Sequence, residues 1–160
     1  MIKWMVIAPV ALLVLLLLAG QAGLLRGKPP ADLGVREGKL KRPSKTPNSV
    51  SSQADLWPGH PQADYARIAP LPAQGDAAAT MARIRAVLAA MPGATVEKAE
   101  GDYLYATFST RLLKYTDDVE FWFDPAAGAV QVRSASRLGS KDFGVNRARI
   151  ETLREALGRS

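Results

Sequence analysis

The sequence predicts an α+β fold: an antiparallel sheet of four to five strands with two helices packed on one face, preceded by an N-terminal transmembrane or signal helix. Three observations lead there. Four runs rich in β-branched and aromatic residues follow one another between residues 94 and 136, parted by short Gly and Pro turns. Two segments with apolar residues at helical spacing bracket those runs. A long uncharged stretch opens the chain. Successive strands flanked by helices imply an antiparallel sheet with helices gathered to one side, which leaves the other face open for a site.

The first element is the run from Trp4 to Leu25, 22 residues without a charge and dense in Leu, Val and Ala. As a helix it would reach roughly 33 Å, against a hydrocarbon core of about 30 Å. Trp4 stands where an interfacial aromatic belongs. Residues 1–25 are therefore read as a membrane anchor, or as a signal peptide with Lys3 ahead of it and small residues at Gly20 and Ala22 for a cut. In either case residues 4–25 make the membrane a partner. The basic residues after the run favour a cytoplasmic C-terminal side. The short tail ahead of a long apolar core favours export, and the expected location is a single-pass cell-membrane protein with a periplasmic or extracytoplasmic domain.

Residues 26–52 come next, rich in Pro, Gly, Lys and Ser, with few large apolar side chains to bury. Eight of the eleven prolines fall between residues 29 and 72, so this stretch is expected to be an extended spacer. Its charge decides a larger question. The chain carries a formal net charge of +6, yet residues 26–50 hold seven basic groups against two acidic ones, whereas residues 51–160 hold 13 of each sign. A balanced domain is a poor nucleic-acid binder. The basic residues of 26–45 instead suit an anionic lipid surface, at about 1 kcal/mol per residue close to it, or serve solubility alone. With no cysteine, thiolate chemistry and zinc-thiolate sites are excluded.

The folded part is read as residues 53–160. Arg67 to Leu71 suits an edge strand, because Pro70 and Pro72 bar a central place. Gly75-Asp76 offers a turn and N-cap for a helix carrying Met81, Ile84, Val87, Leu88 and Met91 on one stripe. Pro92-Gly93 ends it. Strands follow at residues 94–98, 103–110, 118–123 and 130–136. A last helix runs from Asn146 to Leu157, with Ile150 and Leu153 on its buried side.

The turn at residues 125–128 sets a register: Asp124 opposite Ala129, Trp122 opposite Gln131, Glu120 opposite Arg133 and Asp118 opposite Ala135. Val119, Phe121, Phe123, Val130 and Val132 then share the core face. Asp118, Glu120 and Arg133 share the other, with Arg137 diagonal to Asp118. One reading of this face is a solvated salt-bridge ladder, each pair contributing roughly 0.2–1 kcal/mol. A second gathers Asp117, Asp118 and Glu120 around calcium, weakened because Asp117 points the opposite way. A third converges Arg111, Arg133, Arg137, Arg147 and Arg149 on a carboxylate or phosphate. The loop from Gly139 to Gly144 enters the last helix, where Asp142 or Asn146 either caps it or assists an anion. His60 sits in a Trp-Pro-Gly-His-Pro loop without a nucleophile beside it, and no phosphate loop, dinucleotide fingerprint or nucleophile elbow is present.

The strings DDVEFWFD (117–124), VRSASRLGSKDFGVNRARIETLRE (132–155) and TPNSVSSQA (46–54) resemble the DUF1499 family, a domain of unknown function, over residues 38–157. The resemblance implies membrane or exported proteins and names no reaction. It also marks a departure: the family's upstream motif reads like C-P-x-S-P-N-C-V-S-S, whereas here Ser49 stands at the second cysteine position and Pro43 at or near the first. If relatives pair those cysteines, this chain holds the segment by other means.

The expectation is a membrane-anchored envelope protein whose exported domain binds an anionic ligand, lipid or partner without catalysis, with no cofactor or metal. The site residues are Asp118, Glu120, Arg133, Arg137, Asp142, Asn146 and Arg147. The alternative is a hydrolase using Asp118 or Glu120 as general base with arginines stabilising an anion.

Overall fold

The computed structural model describes residues 2–159. It opens with helix α1 (Ile2–Gln21) and continues through β1 (Ser49–Ser51), the single-turn α2 (Ala63–Ala66), β2 (Leu71–Pro72), α3 (Ala77–Ala90), β3 (Ala94–Glu100), β4 (Tyr103–Ser109), β5 (Thr116–Asp124), β6 (Ala129–Ser136) and α4 (Val145–Arg159). The expected α+β fold is present, with six antiparallel strands instead of four to five. The order is β1-β6-β5-β4-β3, and β2 also pairs with β6.

The two added strands divide one edge between them. β1 pairs with residues 133–135 of β6 and β2 with residues 129–130. The edge strand expected at residues 67–71 lies slightly later, because Pro70 and Pro72 lack amide donors and only Leu71–Pro72 aligns with Val130 and Ala129. Arg67 instead forms an isolated parallel bridge to Ser51.

Strands β3 to β6 form a meander in the expected sequence of turns, and the β5–β6 register is the one read from residues 125–128: Asp118 faces Ala135, Glu120 faces Arg133, Trp122 faces Gln131 and Asp124 faces Ala129. Alternation then sends Val119, Phe121, Val130 and Val132 to a fully buried core, where Met81, Ile84 and Leu88 of α3 meet Ile150, Leu153 and Leu157 of α4. Asp76 caps α3, its carboxylate accepting the Ala79 N–H at 2.8 Å.

The second face of the sheet is not open. Residues expected to form a spacer cross it: the Gly34 N–H donates to Glu120 Oε1 at 2.7 Å, and Leu40 is 1% exposed. The Gln53 side chain accepts the Leu40 N–H at 2.8 Å and donates to the Gly38 carbonyl at 2.9 Å. Composition hid this, because the segment is held by backbone and polar side-chain bonds more than by apolar bulk. Ser49, at the relatives' cysteine position, is buried and accepts the Ser44 N–H on its hydroxyl at 2.8 Å. That bond ties the strand start to the residue after Pro43. A Pro43→Cys/Ser49→Cys variant is expected to oxidise and gain about 2 kcal/mol by closing this short loop. Thiol titration with thermal unfolding checks it; persistence of two free thiols under oxidant would refute the proximity.

Helix α1 stops at Gln21, and Ala22–Leu25 form turns. Among the described residues, no helix is long and apolar enough to cross a membrane. The Lys3 and Trp4 side chains, expected to flank the span, lie outside the described residues. Where its side chains are described, α1 exposes apolar groups on every side, including Met5, Ile7, Val10, Leu12, Leu13, Val14, Leu15, Leu16 and Leu18. Among its described residues, the C-terminal end is the part that is docked. A Cβ on Gly20 would meet the Leu113 backbone at 2.8 Å, and the Gln21 amide donates to the Leu112 carbonyl at 2.7 Å.

Candidate functional site

Alternation on β5 splits its acidic residues between the two faces, and each finds a different arginine. On the face covered by residues 34–42, Asp118 pairs with Arg137 at 2.8 Å and Glu120 with Arg133 at 3.5 Å. On the helix side Asp117 pairs with Arg149 at 2.5 Å. The calcium reading therefore fails on geometry. Among the described residues no three His, Asp or Glu side chains gather around a common point.

The ladder read from the sequence exists, but it is buried and not solvated: Glu120 is 0%, Asp118 1% and Arg133 3% exposed. Tyrosines from β4 complete it. Tyr105 donates its hydroxyl to Asp118 at 2.6 Å, and Tyr103 donates to Glu120 at 2.9 Å. Arg137 Nε lies 3.0 and 3.1 Å from the two Asp118 oxygens, a forked pairing with fixed orientation. Sequence reasoning missed both tyrosines. Their signal was the alternation of Tyr103 and Tyr105 on a strand that pairs with β5.

Burial works against both charges of the Glu120–Arg133 pair. It pushes the Glu120 carboxyl up, against the opposing pull of the Gly34 N–H and Arg133, and it pulls the Arg133 guanidinium down. Arg133 Nε is held by the Arg42 carbonyl at 3.3 Å. Among the described residues, the facing atoms Glu120 Oε2 and Arg133 Nη1 have no hydrogen-bond partner. Desolvation also raises both tyrosine hydroxyls, reinforced by the carboxylates they serve. At Arg137 burial acts downward, but the Asp118 hydrogen bonds and charge prevail and raise it.

Asp142 and Asn146 form a second buried cluster. Asp142 accepts the N–H of Gly144 and of Asn146, each at 3.1 Å, and the hydroxyl of Tyr65. Burial alone would raise its carboxyl; those donors outweigh it and hold it below the usual 3.8. The Asn146 amide donates to Asp142 at 2.8 Å and to the Asn48 carbonyl at 3.1 Å, and accepts the Ser134 hydroxyl at 2.6 Å. Asp142 thus caps α4, one of the two roles considered for it. Arg147 is separate from both clusters and clamps the chain by donating to the Tyr65 and Arg67 carbonyls at 2.6 and 2.9 Å.

The seven predicted site residues therefore divide into two buried networks and a clamp. Of the five arginines considered for an anion, three do converge. Arg111, Arg137 and Arg149 line a cleft of about 1110 Å³ at the end of the sheet where α1 docks, together with Arg26 and Lys114. Its floor carries Phe108, over whose ring the Arg149 guanidinium lies at 4.6 Å. Arg137 and Arg149 are already paired at the floor. Arg26, Arg111 and Lys114 stand at the mouth, where Glu97 is the one acidic lining residue. Lys114 was not among the predicted candidates, because it lies in no patterned element, and Arg26 was expected only as part of the basic stretch facing a lipid surface.

The fold and this arrangement define a small α+β sheet domain with a sealed, ion-paired sheet face, a cationic end cleft and an apolar N-terminal helix. The chain belongs to the DUF1499 family, described as a protein of unknown function, whose model matches residues 39–157. No curated protein and no solved structure matches it.

Proposed function

We propose that the protein is a membrane-held, non-catalytic binding domain that takes an anionic group in the cleft beside α1, with the domain on the exported side of the membrane. One observation carries the proposal: among the described residues the cleft is lined by five cationic side chains and one acidic one, although residues 51–160 as a whole carry 13 charges of each sign. Guanidinium forks and an ammonium at its mouth suit phosphate or carboxylate. A helix apolar all round needs an apolar surrounding, and the exposed side chains of α1 find none within the chain; the membrane part of the proposal rests on that surface and not on helix length.

One feature favours binding over hydrolysis. Asp118 and Glu120, the carboxylates a hydrolase would use, are buried and engaged by Arg137, Tyr105, Gly34 and Tyr103. The basic residues of 26–45 are also partly occupied: Lys41 pairs with Asp32, and Lys39 lies 5.5 Å from the Trp57 ring centre. Arg26 remains at the cleft.

Thermal unfolding of the full chain with inorganic phosphate and glycerol phosphate tests the reading. Ligand at about 100 times its Kd should add roughly 2.7 kcal/mol of stability, and Arg111→Gln/Lys114→Gln should abolish the shift while leaving the unliganded Tm within a degree or two. No shift with either anion at millimolar concentration, or an undiminished shift in the double variant, would remove the cleft from the proposal.

A further inference from the structure

We infer that the α1 end of the domain lies on the bilayer surface itself, with Leu112 and Phe143 set among lipid chains and Arg26, Arg111, Lys114 and Lys141 against anionic head groups. The inference rests on the proposed membrane placement of α1 and adds which face of the domain meets the lipid. It begins with where the exposed apolar side chains are. Among the described residues outside α1, seven large hydrophobic side chains are exposed; Leu24, Leu112, Tyr115, Leu138, Phe143 and Val145 are six of them, and Leu56 is the seventh.

Those six share one end of the sheet. Leu112 and Tyr115 lie in the β4–β5 connection, and Leu138 and Phe143 in the β6–α4 connection. Pairing of Ser109 with Thr116 and of Asp117 with Ser136 brings both connections to the same edge of the fold. Leu24 follows α1, and Gly27 packs close to Arg137 and Leu138. A monomeric surface rarely concentrates apolar side chains in this way without a partner.

Phe143 adds an independent sign. It is 91% exposed and its backbone is left-handed, with φ at 53°, a conformation that bulky residues avoid. An aromatic held outward at conformational cost contributes nothing to this core, so its use lies outside the chain.

Charge identifies the occupant. The same end carries Arg26, Arg111, Lys114 and Lys141, whereas its carboxylates are withdrawn: Asp117 and Asp118 are paired with arginines, and Asp142 accepts hydrogen bonds from its own loop. Apolar tips ringed by cations match the boundary between head groups and acyl chains of an anionic membrane. Orientation follows from α1, whose last turn is fixed on this end by the Gly20 contact with Leu113 and the Gln21 bond to Leu112.

The absence of cysteine makes single-site labelling direct. Leu13→Cys, Leu112→Cys, Phe143→Cys and Ala127→Cys, the last in the exposed β5–β6 turn at the opposite end, would each carry an environment-sensitive fluorophore. The full chain is placed in nanodiscs of phosphatidylcholine and phosphatidylglycerol with and without nitroxide-bearing lipid. The expected result is several-fold stronger nitroxide quenching at positions 13, 112 and 143 than at 127. Quenching at 13 with positions 112 and 143 as open to aqueous iodide as 127 would overturn this inference and leave the membrane reading of α1 standing. No quenching at 13 would remove both. Shielding of 112 and 143 from iodide without nitroxide quenching would assign the surface to a protein contact and overturn the lipid assignment.

Discussion

Glu120→Leu is expected to destabilise the domain by about 3–5 kcal/mol, because it leaves Arg133 as an uncompensated charge in the interior. Arg133 is 3% exposed, and the Arg42 carbonyl at 3.3 Å would be its remaining hydrogen-bonded support. Glu120→Leu/Arg133→Met removes both ions together and should recover most of the loss, to within about 1 kcal/mol of the native chain. Full replacement gain is not expected, since Gly34 and Tyr103 lose their acceptor. Urea unfolding of the native chain, the single variants Glu120→Leu and Arg133→Met, and the double variant gives the coupling energy, which should exceed roughly 2 kcal/mol for two groups in direct contact. Equal stability of Glu120→Leu and the native chain would show that the pair does not carry opposite charges in the fold.

The same carboxyl has a pH signature. Its folded-state pKa is raised above 4.5 by burial, so its contribution is fully present below 4.5 and is lost as pH rises through the raised value. Glu120→Gln should lack that falling limb. If both proteins show the same slope above 4.5, Glu120 is not the group responsible.

Asn146→Ala is expected to cost about 3 kcal/mol and lower Tm by roughly 10 °C. The side chain is fully buried; its loss leaves the Ser134 hydroxyl without its Asn146 acceptor and removes one donor from Asp142, while the Asn48 carbonyl keeps the Ser136 N–H. Each buried group left unsatisfied costs about 1–3 kcal/mol. Its neighbour Asp142 sets the acid limb. Its pKa is depressed below 3.8 by donated hydrogen bonds, so the stability it supplies is present above 3.8 and is lost as pH falls through the depressed value. Asp142→Asn should flatten stability below pH 4 relative to the native chain. A loss under 1 kcal/mol for Asn146→Ala would mean that water replaces its bonds and that the cluster is not a structural lock.

The sheet was legible because period-two alternation and one turn leave few registers. Placing residues 125–128 as the turn assigned Glu120 to Arg133 and put Asp117 and Asp118 on opposite faces. The helices were legible from Asp76 and from the spacing of Ile84, Leu88, Ile150 and Leu153. The cover formed by residues 34–42 was not. It is made by Gly34 and by the Gln53 side chain reaching Leu40 and Gly38, bonds between partners far apart in the chain that leave no local pattern.

By itself the sequence determined the α+β class, the β5–β6 register, the family, and the concentration of charge before residue 50, since each depends on residue type and near-neighbour order. Only the tertiary structure decided that the ladder is buried, that Arg147 is a clamp, and that Arg26, Arg111 and Lys114 meet at one end beside Phe143. The physical reason is distance along the chain: burial and convergence depend on which loops return to the same edge, and pairing of Ser109 with Thr116 and of Asp117 with Ser136 brings them there.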